Sequence, residues 1–175
     1  MELRVVTPLR QRWLQGQRTT IILAALTLLV LVLSAPGALL DAYERGGLYL
    51  FSRAFFADIP ARLNGPGRFR FVLQPLIATV LGIRGGLADA RAGRPPFLQG
   101  VLFQRELRSK LVREGFETVV NLLLMGILMD AVFQWVIFGV SHPGAALVVG
   151  PVLIILPYVL ARAFSNRLAQ LRKGG

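Results

Sequence analysis

Residues 121–140, NLLLMGILMDAVFQWVIFGV, form an apolar run with one acid, Asp130, near its middle. Extended back to Thr118, the run holds thirteen Leu, Ile, Val or Phe side chains. These favour bilayer insertion by roughly 4 to 8 kcal/mol, against about 2.5 to 3.5 kcal/mol for a central aspartate. Insertion wins, and residues 118–140 are expected to span a membrane with a carboxylate inside it.

The rest of the chain fits that solvent. Apolar residues make up 54% of the 175 positions and mean hydropathy is +0.59. They are gathered in blocks rather than spread at helical intervals, as membrane spans require. Residues 19–40 carry no charge and twelve Leu, Ile or Val side chains, worth roughly 4 to 7 kcal/mol of insertion. This run exceeds the apolar stretch of a signal peptide and reads as an uncleaved anchor. Residues 144–161 follow residue 140 after a very short link, so the last two spans form an antiparallel hairpin, with Pro151 and Pro157 inside the fourth helix.

The second span is the short one. Phe71 to Ile83 gives only about 20 Å of helix, and extension to Ala88 gives about 27 Å if Arg84 reaches toward the headgroups. From the sequence alone residues 71–88 could cross or re-enter. Ala78, Gly82 and Gly86 recur every four residues and should let another helix pack closely.

The expectation is therefore an all-α, single-domain integral membrane protein, residues 1–175, with four transmembrane helices and a C-terminal helical hairpin. Its charge pattern sets the orientation. Fifteen Lys and Arg residues fall in the N-terminal segment, the second-to-third-span link and the C-terminal tail, against five between spans one and two. The positive-inside tendency then places both termini in the cytoplasm. Outside, residues 42–58 collect Tyr43, Tyr49, Phe51, Phe55 and Phe56, either as an interfacial helix or as a cap over the bundle mouth. Inside, residues 99–116 read as one amphipathic helix, with Glu106–Lys110, Lys110–Glu114 and Arg113–Glu117 able to pair.

Several function classes fall away. The formal charge of +11 lies in segments between spans, leaving no water-facing surface to grip nucleic acid. With no cysteine and one histidine, thiolate chemistry and multi-histidine metal sites are not expected, and no cofactor is implied. His142 reads as a loop or capping residue. No catalytic constellation stands out, and a lipid-modifying enzyme would need acids and bases clustered at one interface.

Asp130 and Arg84 are the intramembrane ionisable residues, but their depths, about 18 Å and about 6 Å from the cytoplasmic boundary, argue against pairing. The expected company of Asp130 is Thr27, Thr79 and Gln134, with Gly126 on the same face. In such surroundings the acid would stay neutral, as a hydrogen-bonding strut or as a proton or cation site.

The stretch VLGIRGGLADARAGRPPFLQG, residues 80–100, together with the later hairpin, resembles blocks of small uncharacterised bacterial inner-membrane proteins. The resemblance implies a multi-pass inner-membrane location and no activity. The expected function is that of an accessory, assembly or scaffold protein, whose partners are the lipid bilayer and another membrane protein or a second copy. The alternative is a small transporter or proton-coupled component that uses Asp130.

Overall fold

A computed structural model describes the backbone of residues 6–172 and the side chains of residues 16–172. The chain is all-α. In order it forms α1 (Val6–Arg45), α2 (Arg53–Ala57), α3 (Ile59–Asn64), α4 (Arg70–Arg91), α5 (Phe97–Phe103), α6 (Arg105–Phe138) and α7 (Pro143–Leu171). Four of these, α1, α4, α6 and α7, are long and apolar enough to cross a membrane, with 18-residue stretches averaging hydropathies of 2.4, 1.5, 1.9 and 2.3.

Contacts between the long helices give their directions. Thr20 hydrogen-bonds Asn121, Thr27 donates to the Leu124 carbonyl, and Gly37 lies against Val140, so α1 runs parallel to α6. Gly82 meets Tyr158 and Ala161, and Gly86 meets Arg162 and Ser165, so α4 runs parallel to α7. Gly126 faces Gly150 while Gly115 faces Arg162, so α6 and α7 are antiparallel. The resulting order is α1, α6, α7, α4, and the ends of α1 and α7 that begin and end this set lie on one side of the bundle.

Small residues set the two closest crossings. Ala78, Gly82 and Gly86 are all buried against α7, and a Cβ on Gly82 would run into the Tyr158 carbonyl oxygen. A Cβ on Gly150 would come within 2.8 Å of the Gly126 backbone. Around these crossings pack Val119, Leu123, Ile154 and Tyr158. By contrast α1 touches the bundle along one narrow face, and Ile21, Ile22, Leu28, Leu29 and Leu33 point outward, which in a bilayer means toward lipid or a partner.

The spans are longer than their apolar blocks. α4 runs past residue 88 to Arg91, giving 22 residues and about 33 Å of helix, enough to cross. α6 begins at Arg105 rather than at residue 118, because the amphipathic segment passes into the span without a break. The single helix expected over residues 99–116 is instead interrupted at Gln104, whose extended backbone ends α5 and starts α6. Arg108 holds that corner by donating to the carbonyls of Val101 and Leu102. Arg113 pairs with Glu117 as the spacing suggests, but Glu114 pairs with Arg94 instead of Lys110.

The segment after α1 is not one interfacial helix over residues 42–58. α1 runs on to Arg45, the chain turns, and Tyr49 and Phe55 fold into the bundle mouth beside Ala145. Tyr43, Phe51 and Phe56 stay exposed, so the aromatic cluster divides into a cap and a lipid-facing set. Beyond α3 the chain descends. Gly65 lies against Ile137 and Gly67 against the Phe133 ring, beside the last two turns of α6. Gly67 combines a φ of +78° with no room for a Cβ, and only glycine meets both conditions. This irregular backbone keeps its polar groups paired through turns, Gly65 N–H to the Ala61 carbonyl, Arg68 N–H to Gly65 and Arg70 N–H to Gly67.

Candidate functional site

The descent of residues 59–70 delivers two arginines to Asp130. The Asp130 carboxylate is 1% exposed and lies about 12 Å from the C-terminal end of α6. Arg62 Nη1, from α3, donates to both of its oxygens at 3.2 Å. Arg70 Nη2, from the first turn of α4, pairs with Oδ1 at 2.7 Å. Gln134 Nε2, one turn along α6, donates to Oδ2 at 2.6 Å. The Gln134 amide orientation is fixed by its other end, where Oε1 accepts the His142 backbone N–H at 3.0 Å. A flipped amide would set two donors face to face.

Every group bonded or paired to Asp130 is therefore a donor. The expected company of neutral side chains is thus joined by two guanidiniums, Arg62 and Arg70, beside Gln134. The other expected neighbours lie elsewhere. Thr27 is buried but donates to the carbonyls of Leu23 and Leu124, Thr79 is half-buried without a part in the bonds to Asp130, and Arg84 is exposed. Gln134 and Gly126 do share the inward face of α6 with Asp130.

Aromatic rings supply the remaining surroundings of the two cations. The Arg62 guanidinium sits 5.5 to 5.9 Å from the ring centres of Phe138, Phe55 and Tyr49. Arg70 lies 4.8 Å from Phe71 and 5.4 Å from Phe133. Ring faces are electron-rich, so in a water-poor site they favour a buried guanidinium. Arg62 Nη2 also donates to the Tyr49 hydroxyl, which donates in turn to Asp58 at 2.8 Å. Burial pushes the Tyr49 phenol above its ordinary value, the Arg62 hydrogen bond opposes this, and the Asp58 hydrogen bond adds to it.

His142 closes the outer end. Its ring stacks on Tyr49 at 3.7 Å between centres, and Nε2 lies 3.0 Å from Asp41 at the end of α1. No carboxylate is near His142 in sequence, yet the fold brings one from 101 positions away.

A second ionic cluster, not anticipated from the sequence, lies toward the opposite end. Asp89 of α4 receives a two-pronged contact from Arg162 of α7, Nε at 2.7 Å and Nη2 at 3.1 Å. Arg162 also donates to Tyr158 and lies 4.5 Å from the Phe97 ring of α5. Arg94 pairs with both Asp89 and Glu114, and its carbonyl accepts from Asn166 and Gln170. The clue available in the sequence was weak: Asp89 and Arg162 look like ordinary charges at span ends.

Polar chemistry thus sits at two levels of one bundle, the first tying α3 and α4 to α6, the second tying α4 to α7 and, through Arg94 and Glu114, to α6. Breaking one partner of such a pair is costly because a charge is left buried alone, about 3 to 5 kcal/mol. The geometry suits holding helices in register. Fold and site together define a multi-pass membrane protein with an ion-paired interior. No family model matches the chain, no curated protein matches it, and no solved structure matches it.

Proposed function

We propose that this protein is an accessory, assembly or scaffold component of a bacterial inner membrane, with both termini in the cytoplasm. The observation that carries the reading is that the buried acids are spent on arginines. Asp130 is held by Arg62, Arg70 and Gln134, and Asp89 by Arg162 and Arg94. The bundle of α4, α6 and α7 is thereby a fixed body, while α1 presents Ile22, Leu29 and Leu33 to its surroundings. A fixed body with one loosely covered helix suits docking of another membrane protein or a second copy. The charge asymmetry between the two ends supports the orientation.

Use of Asp130 in a proton-coupled transporter ranks second. The bonds from Asp130 toward the outer end run through the Gln134 carboxamide to the His142 main-chain N–H, and through the Arg62 guanidinium to Tyr49 and Asp58; neither a carboxamide nor a guanidinium takes up and releases protons at neutral pH. The test is photo-crosslinking in cells from Leu29, exposed on α1, and from Leu76, exposed on α4. A discrete protein adduct from Leu29 and none from Leu76 is expected. Lipid adducts alone from both positions would overturn the scaffold reading.

A further inference from the structure

The break at Gln104 leaves α5 standing beside α7 without closing on it. Phe97 and Gly100 anchor the inner side of α5, Phe97 against Tyr158 and Gly100 against Leu111. The other side faces α7 across a groove of about 520 Å³. Leu102, Phe103, Leu160 and Phe164 supply apolar walls, and its polar groups are Gln99 and Arg167. The walls are open to the surroundings: Leu102 is 61% exposed, Phe103 79% and Phe164 70%.

We propose that this groove binds an anionic phospholipid, with an acyl chain along Leu102, Leu160 and Phe164 and the phosphate at Arg167. Position along the helix supports this occupant. Leu160 and Arg167 are seven residues apart on α7, about 10 Å of rise, which matches the passage from the first acyl methylenes through the interfacial region to the headgroup. Arg167 is exposed and points its charge to the wet end, while Gln99 offers an amide to headgroup oxygens. The charge of the whole end agrees. Among the described side chains, that end carries eleven Lys and Arg against four acids, whereas the opposite half carries five against four. A zwitterionic lipid gains nothing from that excess, and an anionic one does. The inference is independent of whether the protein is a scaffold.

The experiment uses the full chain purified in mild detergent. Native mass spectrometry measures retention of phosphatidylglycerol and of phosphatidylcholine with the same acyl chains. The parent is expected to retain phosphatidylglycerol preferentially. Arg167→Ala should weaken that retention about fivefold and abolish the headgroup preference. Leu102→Trp, which fills the groove, should reduce both lipids. Arg53→Ala, on the opposite half, should behave as the parent. Equal retention of the two lipids by the parent, or unchanged phosphatidylglycerol retention in Arg167→Ala and Leu102→Trp, would overturn the proposal. Both altered positions are exposed, and unchanged melting in the absence of added lipid shows that the variants fold.

Discussion

Replacing Asp130 with asparagine is the sharpest test of the ion-paired interior. A neutral acid acting as a strut would tolerate this change, since Asn has the same size and can accept and donate. The structure predicts the reverse. Arg62 and Arg70 are each 2% exposed, and Asp130 is the carboxylate directly paired with both. Asn offers one acceptor oxygen where the site presents three donor groups, and its own amide hydrogens then oppose one of them. Stranding buried charge in this way costs about 3 to 5 kcal/mol. At about 2 to 4 °C per kcal/mol for a chain of this size, melting in detergent should fall on the order of 10 °C. Asp130→Asn combined with Arg70→Met should recover part of the loss, because one cation leaves with the anion. The coupling in a double-mutant cycle should reach about 1 to 3 kcal/mol. Thermal melts of the parent, both single variants and the double variant measure it. An Asn variant that melts within about 2 °C of the parent, or strictly additive losses, would refute the reasoning.

Gly82→Leu should lower the melting temperature by more than Leu81→Ala, since the new side chain is driven into the Tyr158 carbonyl; equal melts would place that row off the α7 contact. A cysteine at Ser109, in a chain with no cysteine of its own, should label only from the cytoplasmic side and one at Glu44 only from outside; labelling of Ser109 in intact cells would reject the proposed orientation. Because burial raises the Tyr49 phenol, the folded state prefers its protonated form, and the stability linked to it is full below about pH 10 and lost as pH rises through the folded value. Tyr49→Phe should therefore melt lower than the parent at neutral pH yet lose less stability between pH 9 and about pH 11; parallel losses would show that Tyr49 is not buried.

The four spans were legible because Leu, Ile and Val gather in runs long enough to cross a bilayer, and the row Ala78, Gly82, Gly86 was legible because its period matches one helix face. The partners of Asp130 were not. Residues within the apolar blocks offer Asp130 no cation at its depth, whereas Arg62 and Arg70 lie before the second block and reach it through a descent at Gly65 and Gly67 that leaves no periodic trace. One signal was present. Arginines on the outer side run against the positive-inside tendency, and a central acid needs a cation, so each anomaly pointed at the other. The Asp89–Arg162 pair was hidden differently, because charges at span ends are normally assigned to headgroups.

The parallel docking of α4 on α7 has a consequence for how the chain is made. Helices that pack side by side here are far apart in order of synthesis: Arg62 precedes Asp130 by 68 residues and Asp89 precedes Arg162 by 73. The most apolar 18-residue stretch of α4 is also less hydropathic than those of α1, α6 and α7. α4 emerges from the ribosome carrying Arg70 and Asp89 before Asp130 and Arg162 have been synthesised, and its glycine row has no surface to meet until the last helix arrives. Its early residence is therefore provisional, and a chain halted before α7 would leave α4 with one exposed small-residue face and Asp89 without Arg162, a state suited to recognition by membrane quality control.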